Sequence, residues 1–300
     1  MALLVAVALP LAAQPDLGYR HVENWGRLPA GHVSGQGMAV AADAGGAIWF
    51  YNRGSHPVIQ FAPDGQVLRS WKEDPLLSKH AGSAHGIGIG PDGGIWLVDQ
   101  EGAAIWKYSP EGRLLIGIQS FSGKVGDNDA KYAFNGPTAV AFDSAGNVYV
   151  ADGYWNTRIV KYSRTGNYIT HWGGSGDGEG QFNLIHGITV DGRDRVIVAD
   201  RSNNRIQVFD ATGKFLEIWD GFGTPWALTW DKKENVVWVV DGNAGRVLKF
   251  TTTGELLGGF GSPGREPGQF HQAHAIAVGK DGALYVAETV NQRIQKFVKQ

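Results

Sequence analysis

The chain has 300 residues, 27 basic against 29 acidic, for a formal net charge of −2, with 44 glycines and no cysteine. Without a Lys/Arg run this balance argues against a nucleic-acid surface, and the lack of cysteine excludes disulfides, thiol nucleophiles and cysteine-ligated zinc. The length exceeds that of an ordinary domain, but closed all-β folds reach it without splitting.

Residues 1–13, MALLVAVALPLAA, are an apolar run ending in small residues. They read as a signal peptide, which makes the product secreted or periplasmic. The run is too short for a membrane span. Residues 14–300 read as one domain, and its first element, GYRHVENW from Gly18 to Trp25, has the pattern of a β-strand.

From there the chain repeats itself six times at a period of roughly 40 to 50 residues, the signature of propellers and related repeat folds. Each copy opens with an alternating strand: MAVAA from Met38, HGIGI from His85, TAVAF from Thr138, HGITV from His186, WALTW from Trp226 and HAIAV from His274. Asp- and Gly-rich turns follow, suited to left-handed backbone. Second strands read IWFYN, IWLVD, VYVAD, VIVAD, VWVVD and LYVAE, and the clearest third strands read RIVKYS, RIQVFD, RVLKFT and RIQKFV. Period-two β-branched and aromatic runs of this kind are strands. A fourth strand follows in five copies, from GQVLRSW to GELLGGF, but the chain ends at Gln300 after the third strand of the last. The sequence therefore predicts an all-β, six-bladed propeller of four-stranded repeats, with the N-terminal strand completing the last blade.

In a propeller the first strand of each blade is innermost, so equivalent positions form a ring around the axis. That ring reads Met38, His85, Thr138, His186, Trp226, His274, which sets three imidazoles about 120° apart on alternate blades. Three neutral imidazoles with an open fourth position suit a catalytic zinc. Other divalent transition metals take the same ligands. The remaining histidines, 21, 32, 56, 80, 171 and 271, share no such register. A second ring lies fifteen residues on, with Arg53, Gln100, Gly153, Arg201 and Thr289, and Tyr154 follows Gly153 directly. Two arginines there would grip a carboxylate in bidentate fashion. Near a metal and two guanidinium groups, Tyr154 would have a stabilised phenolate and act as a base below its usual pKa. The alternatives are salt bridges to neighbouring aspartates for the arginines and a packing role for the tyrosine.

The segments AHGIGIGPDGGIWLVD, VADGYWNTRIVKYS, IHGITVDGRDRVIVADRSNNRIQVF and AHAIAVGKDGALYVAE resemble NHL-repeat propellers and, among them, the peptidyl-α-hydroxyglycine α-amidating lyases. The resemblance covers most of residues 30 to 298. It implies that His85, His186 and His274 bind zinc, that Tyr154 is the catalytic base, and that Arg53 and Arg201 bind substrate. It further implies a lyase that splits a carbinolamide C–N bond to give an amide and glyoxylate. The same resemblance implies a structural calcium whose carboxylate ligand immediately follows the third histidine. Ala275 stands at that position, leaving only main-chain oxygens near Met38 and Ile87.

The partner expected on this reading is a small-molecule or peptidyl carboxylate, met by a monomer with no nucleic acid and no membrane span. Two other readings stay open. One is a non-catalytic NHL module that binds a protein on a propeller face. The other is a metal-dependent hydrolase of the lactonase type, whose metal sites favour oxygen ligands suited to calcium.

Overall fold

The computed structural model describes residues 15–72, 83–120 and 122–300, so the proposed signal peptide, at 1–13, lies outside the described residues. Six four-stranded antiparallel sheets form the blades of an all-β propeller. The inner strands are Gly37–Ala42, Ala84–Ile89, Pro137–Phe142, Ile185–Val190, Pro225–Asp231 and Ala273–Val278. Second and third strands are buried almost throughout, because each is sandwiched between neighbouring blades. Outer strands such as Leu114–Ile118 are largely exposed, as expected of strands with only one packed face.

The core is correspondingly divided into six apolar clusters, each made by two adjacent blades. Blades one and two meet through Trp49, Tyr51, Leu97 and Trp106. Blades six and one meet through Tyr285, Ala287, Phe50 and Phe61, with Trp25 filling the seam. In repeat architectures of this kind each unit buries its faces only against its neighbours.

The last blade is completed from the N-terminus, where Tyr19, Arg20 and His21 pair antiparallel with Lys299, Val298 and Phe297. This strand has three residues, Tyr19–His21, whereas the sequence pattern ran to Trp25. Asn24 and Gly26 adopt positive φ, so the chain turns away after His21 and drops Trp25 into the seam. Trp25 donates its indole N–H to Pro63 O at 2.9 Å. Among the described residues no helix is long and apolar enough to cross a membrane.

A second repeated device ties the blades at the histidine-bearing end. In blades three to six the acid ending the second strand meets an arginine opening the third: Asp152–Arg158, Asp200–Arg205, Asp241–Arg246 and Glu288–Arg293. The arginines also bind carbonyls of the preceding inter-blade loop. Arg158 takes those of Asn128, Ala130 and Ala133, and Arg205 those of Asp177, Gly178 and Gln181. Blades one and two have Val58 and Ala104 where the third strand begins, and no such arginine.

Candidate metal centre

Every ring position coincides with a β-bulge. The register between first and second strands slips at Met38, His85, Thr138, His186, Trp226 and His274, in all six blades. A bulge leaves one residue out of the ladder and re-aims its side chain. Here it directs the side chain to the axis and frees the local carbonyl.

The histidines use those carbonyls. His85 Nδ1 donates to Thr138 O at 2.7 Å, His186 Nδ1 to Trp226 O at 2.7 Å, and His274 Nδ1 to Met38 O at 2.6 Å. Each acceptor is the ring residue of the next blade, so the three non-histidine members orient the three histidines. A carbonyl only accepts, so each Nδ1 carries the proton and each Nε2 keeps its lone pair. Ring nitrogens of the three residues lie within 4.8 Å of one another. All three side chains are buried. Burial is the largest cause lowering each pKa. His274 is driven to about 4, while repulsion from His274 adds to the lowering of His85 and His186. The set is therefore neutral at pH 7, with its outer nitrogens held by hydrogen bonds as metal-binding histidines usually are. The donor set fits a borderline transition metal such as zinc.

Arg53, Gln100, Arg201 and Thr289 come to the same face because their backbone N–H groups bond to residues just before the ring. Acceptors are Gln36 O, Ser83 O, Leu184 O and Gln272 O. Blade three differs. Both Gly153 N and Tyr154 N donate to Gly136 O, at 3.3 and 3.0 Å, and both Trp155 N and Asn156 N to Asn135 O, each at 3.2 Å. Its acid and arginine are six residues apart, against five in blades four, five and six. The extra residue is absorbed by doubling the acceptors, and it thrusts Tyr154 toward the axis. Gly136, at φ +76°, leaves the space: a Cβ there would sit 2.6 Å from both Tyr154 Cβ and Trp155 Cε3.

The Tyr154 hydroxyl lies 3.1 Å from His85 Nε2 and 3.3 Å from His186 Nε2. Arg201 and Arg53 favour its ionised form, Arg201 also by a hydrogen bond, but burial is the larger effect and the phenol stands above its ordinary value. The expected lowering therefore does not arise from the protein's own groups. Desolvation of the phenolate outweighs two cations that are themselves partly solvated.

Among the described residues neither arginine forms an ion pair with a carboxylate. Arg53 is held by Ala84 O at 3.1 Å, Gln36 Oε1 at 3.0 Å and Gln100 Oε1 at 3.3 Å, all neutral acceptors. Arg201 lies over the Trp226 ring, 4.4 Å from its centroid. Trp226 is a site residue that the sequence reading left without a role. Its signal was the position itself, an indole in the ring between two histidines, and Gly242, where a Cβ would be 2.5 Å from Trp226 Cδ2.

Behind the histidines the axial channel encloses a cavity of about 330 Å³, lined by residues such as Ala41, Ile89, Val140, Ile188, Leu228 and Ala275. No carboxylate is among the described residues that line it. His32 and His56 stack on each other with ring centroids 3.7 Å apart, outside the axial set. His80 lies outside the described residues.

Comparison with known proteins agrees with the repeat. The family model "NHL repeat" matches residues 134–162, 182–209 and 270–297. NHL repeat-containing protein 3 of Mus musculus is 30% identical over 288 residues, covering 89% of this chain and 80% of that protein. Peptidylglycine alpha-amidating monooxygenase of Rattus norvegicus is 30% identical over 331 residues, covering 96% of this chain but only 33% of that protein. Peptidyl-alpha-hydroxyglycine alpha-amidating lyase 1 of Drosophila melanogaster is 31% identical over 251 residues, covering 71% of this chain and 44% of that one. A solved streptogramin B lyase shares the fold, with a TM-score of 0.65 at 16% identity over 94% of this chain and 98% of that one. The chain belongs to the NHL-repeat propeller family, and proteins named for α-amidating lyase activity are among its relatives.

Proposed function

We propose that this protein is a metal-dependent carbon–nitrogen lyase acting on an N-acyl carbinolamide that carries a carboxylate, and releasing an amide and glyoxylate. The observation that carries the reading is the convergence of three Nε2 atoms beneath a tyrosine hydroxyl, flanked by two arginines without carboxylate partners. The names of the rat and fly relatives support the same chemistry.

His85, His186 and His274 would hold zinc, which supplies a Lewis acid for the substrate hydroxyl. Arg53 and Arg201 bind the carboxylate, and their neutral or aromatic supports leave their charge for the substrate. Tyr154, placed at the axis by the longer turn of blade three, takes the hydroxyl proton as a phenolate, a form that burial disfavours and that zinc held by the three histidines would stabilise. The C–O bond becomes a carbonyl as the C–N bond breaks. The electron pair passes to the amide nitrogen, which takes up a proton and leaves as the amide. Holding hydroxyl, carboxylate and base in one frame is the main contribution of the scaffold. Calcium has no role in this reaction; among the described residues the cavity lining offers it no carboxylate, which leaves main-chain oxygens as its ligands.

A binding-module reading draws on one finding, the match over most of its length to NHL repeat-containing protein 3. Metal content and turnover separate the two. In the lyase reading the purified protein carries close to one equivalent of transition metal and His186→Ala carries almost none. Tyr154→Phe keeps the metal and loses glyoxylate release by at least a hundredfold, the range of a general base. Absence of metal after zinc is supplied, or full turnover in Tyr154→Phe, overturns the assignment.

A further inference from the structure

One side chain at the mouth of the site has no part in the proposed reaction. Trp155 follows Tyr154 in the longer turn of blade three and keeps 60% of its surface exposed. The matching turns of blades four and six carry Ser202 and Val290 and lack the additional residue. Exposure does not mean freedom here. Trp155 N is tied to Asn135 O, the indole edge lies against Gly136, where a Cβ would be 2.6 Å from Cε3, and its ring centroid is 5.9 Å from that of Tyr154. A large apolar ring, more than half exposed, is thus held beside Tyr154.

We propose that Trp155 is a specificity-determining platform that receives an apolar side chain on the residue preceding the reacting unit of the substrate. The proposal rests on the lyase reading and adds a substrate class to it, N-acylated units extended by a bulky apolar residue. Its geometry is short-range. Arg53 is bonded to Ala84 O, directly before His85, and Arg201 lies over the ring residue Trp226, so both cations border the histidines that Tyr154 touches, and the anionic end of the substrate belongs there. The acyl group then points away from the axis. One further residue of extended chain advances about 3.5 Å, and its side chain covers the rest of the 5.9 Å between the Tyr154 and Trp155 ring centroids. An aromatic or branched group there desolvates the open indole face and stacks on it. A glycine at the same place leaves the indole wet.

The test compares two inert acids that lack the hydroxyl, N-acetyl-phenylalanyl-glycine and N-acetyl-glycyl-glycine, by calorimetry on the zinc-loaded full chain. The matching hydroxyglycine substrates are assayed alongside by glyoxylate release. The wild type should bind the phenylalanyl acid roughly tenfold tighter than the glycyl acid, in the range an apolar pocket contact provides. Trp155→Ala should erase that difference, leave the glycyl acid unchanged and raise KM for the phenylalanyl substrate without lowering kcat. Trp155→Phe should restore most of the preference, which a merely structural role would not. Equal binding of the two acids by the wild type, or a preference that survives in Trp155→Ala, overturns the platform. Turnover without a Trp155-dependent preference sinks the platform and leaves the lyase standing. A Trp155-dependent binding preference without turnover does the reverse.

Discussion

The same sixfold repeat builds two buried polar regions that solve opposite problems. At the periphery of the histidine-bearing end, the buried acids of blades three to six are each matched by an arginine, and Asp152 and Arg158 are at most 1% exposed. At the axis, three equally buried imidazoles have no charged partner and stay neutral. Burial raises even Asp152 despite Arg158 beside it, so the peripheral pairs are held together by geometry and by extra hydrogen bonds to loop carbonyls. Saturated polar groups rigidify the frame. The axial groups, by contrast, turn three Nε2 lone pairs toward one region where the protein supplies only the Tyr154 hydroxyl, within reach of His85 and His186, which is the condition for binding something that is not part of the chain.

The comparison breaks first at its strongest joint. Arg158→Met leaves Asp152 buried without its cation, and loss of one partner of such a pair costs about 3–5 kcal/mol. We expect this to be the largest single effect on the melting transition. The equivalent change at Arg246 should cost less, because that side chain is 13% exposed and binds one loop carbonyl rather than three. Metal content per folded molecule should be unaltered by either. If Arg158→Met melts like the wild type, the peripheral pairs are not what stiffens the blades.

The axial region is tested by pH. His274 is lowered from 6.5 to about 4, chiefly by burial, so the unfolded chain takes up a proton that the folded chain refuses. Stability of the metal-stripped protein should therefore fall as pH drops from about 6.5 toward 4. This group alone accounts for a loss on the order of 3 kcal/mol, at 1.36 kcal/mol per unit. His85 and His186 act in the same direction. Thermal melts of stripped protein between pH 4 and 7.5 measure it, and His274→Gln should flatten the slope. A slope that His274→Gln leaves unchanged would show that other groups govern acid sensitivity.

The histidine ring was legible because propeller symmetry turns a sequence register into a position on the axis. His85, His186 and His274 needed only the repeat to be aligned. Arg53 and Arg201 were legible for the same reason, fifteen residues on. What register does not carry is side-chain direction. The bulge that points every ring residue inward leaves no mark in the alternation of apolar residues. The pairing of each imidazole with the next blade's carbonyl is a contact between repeats, invisible when each is read alone. The closing strand was overrun by four residues, since the left-handed backbone at Asn24 ended it inside an otherwise strand-like pattern. The extra residue of blade three was present in the spacing of Asp152 and Arg158, but its meaning depended on knowing that this pair is a fixed joint.

Trp226 gives the finest cut between frame and site. It occupies a ring position, accepts the His186 hydrogen bond through its main chain, and supports Arg201 through its side chain. Only the second function depends on the indole, because any residue supplies the carbonyl. Trp226→Leu should therefore keep the metal and the fold while releasing the Arg201 guanidinium from its stacked position. A cation–π contact of this kind contributes about 1 kcal/mol, so KM for a carboxylate substrate should rise roughly three- to tenfold with kcat little changed. Loss of metal in Trp226→Leu would instead mean that the indole fixes the bulge itself, and that the repeat position cannot be divided into a main-chain part that builds the frame and a side-chain part that serves the site.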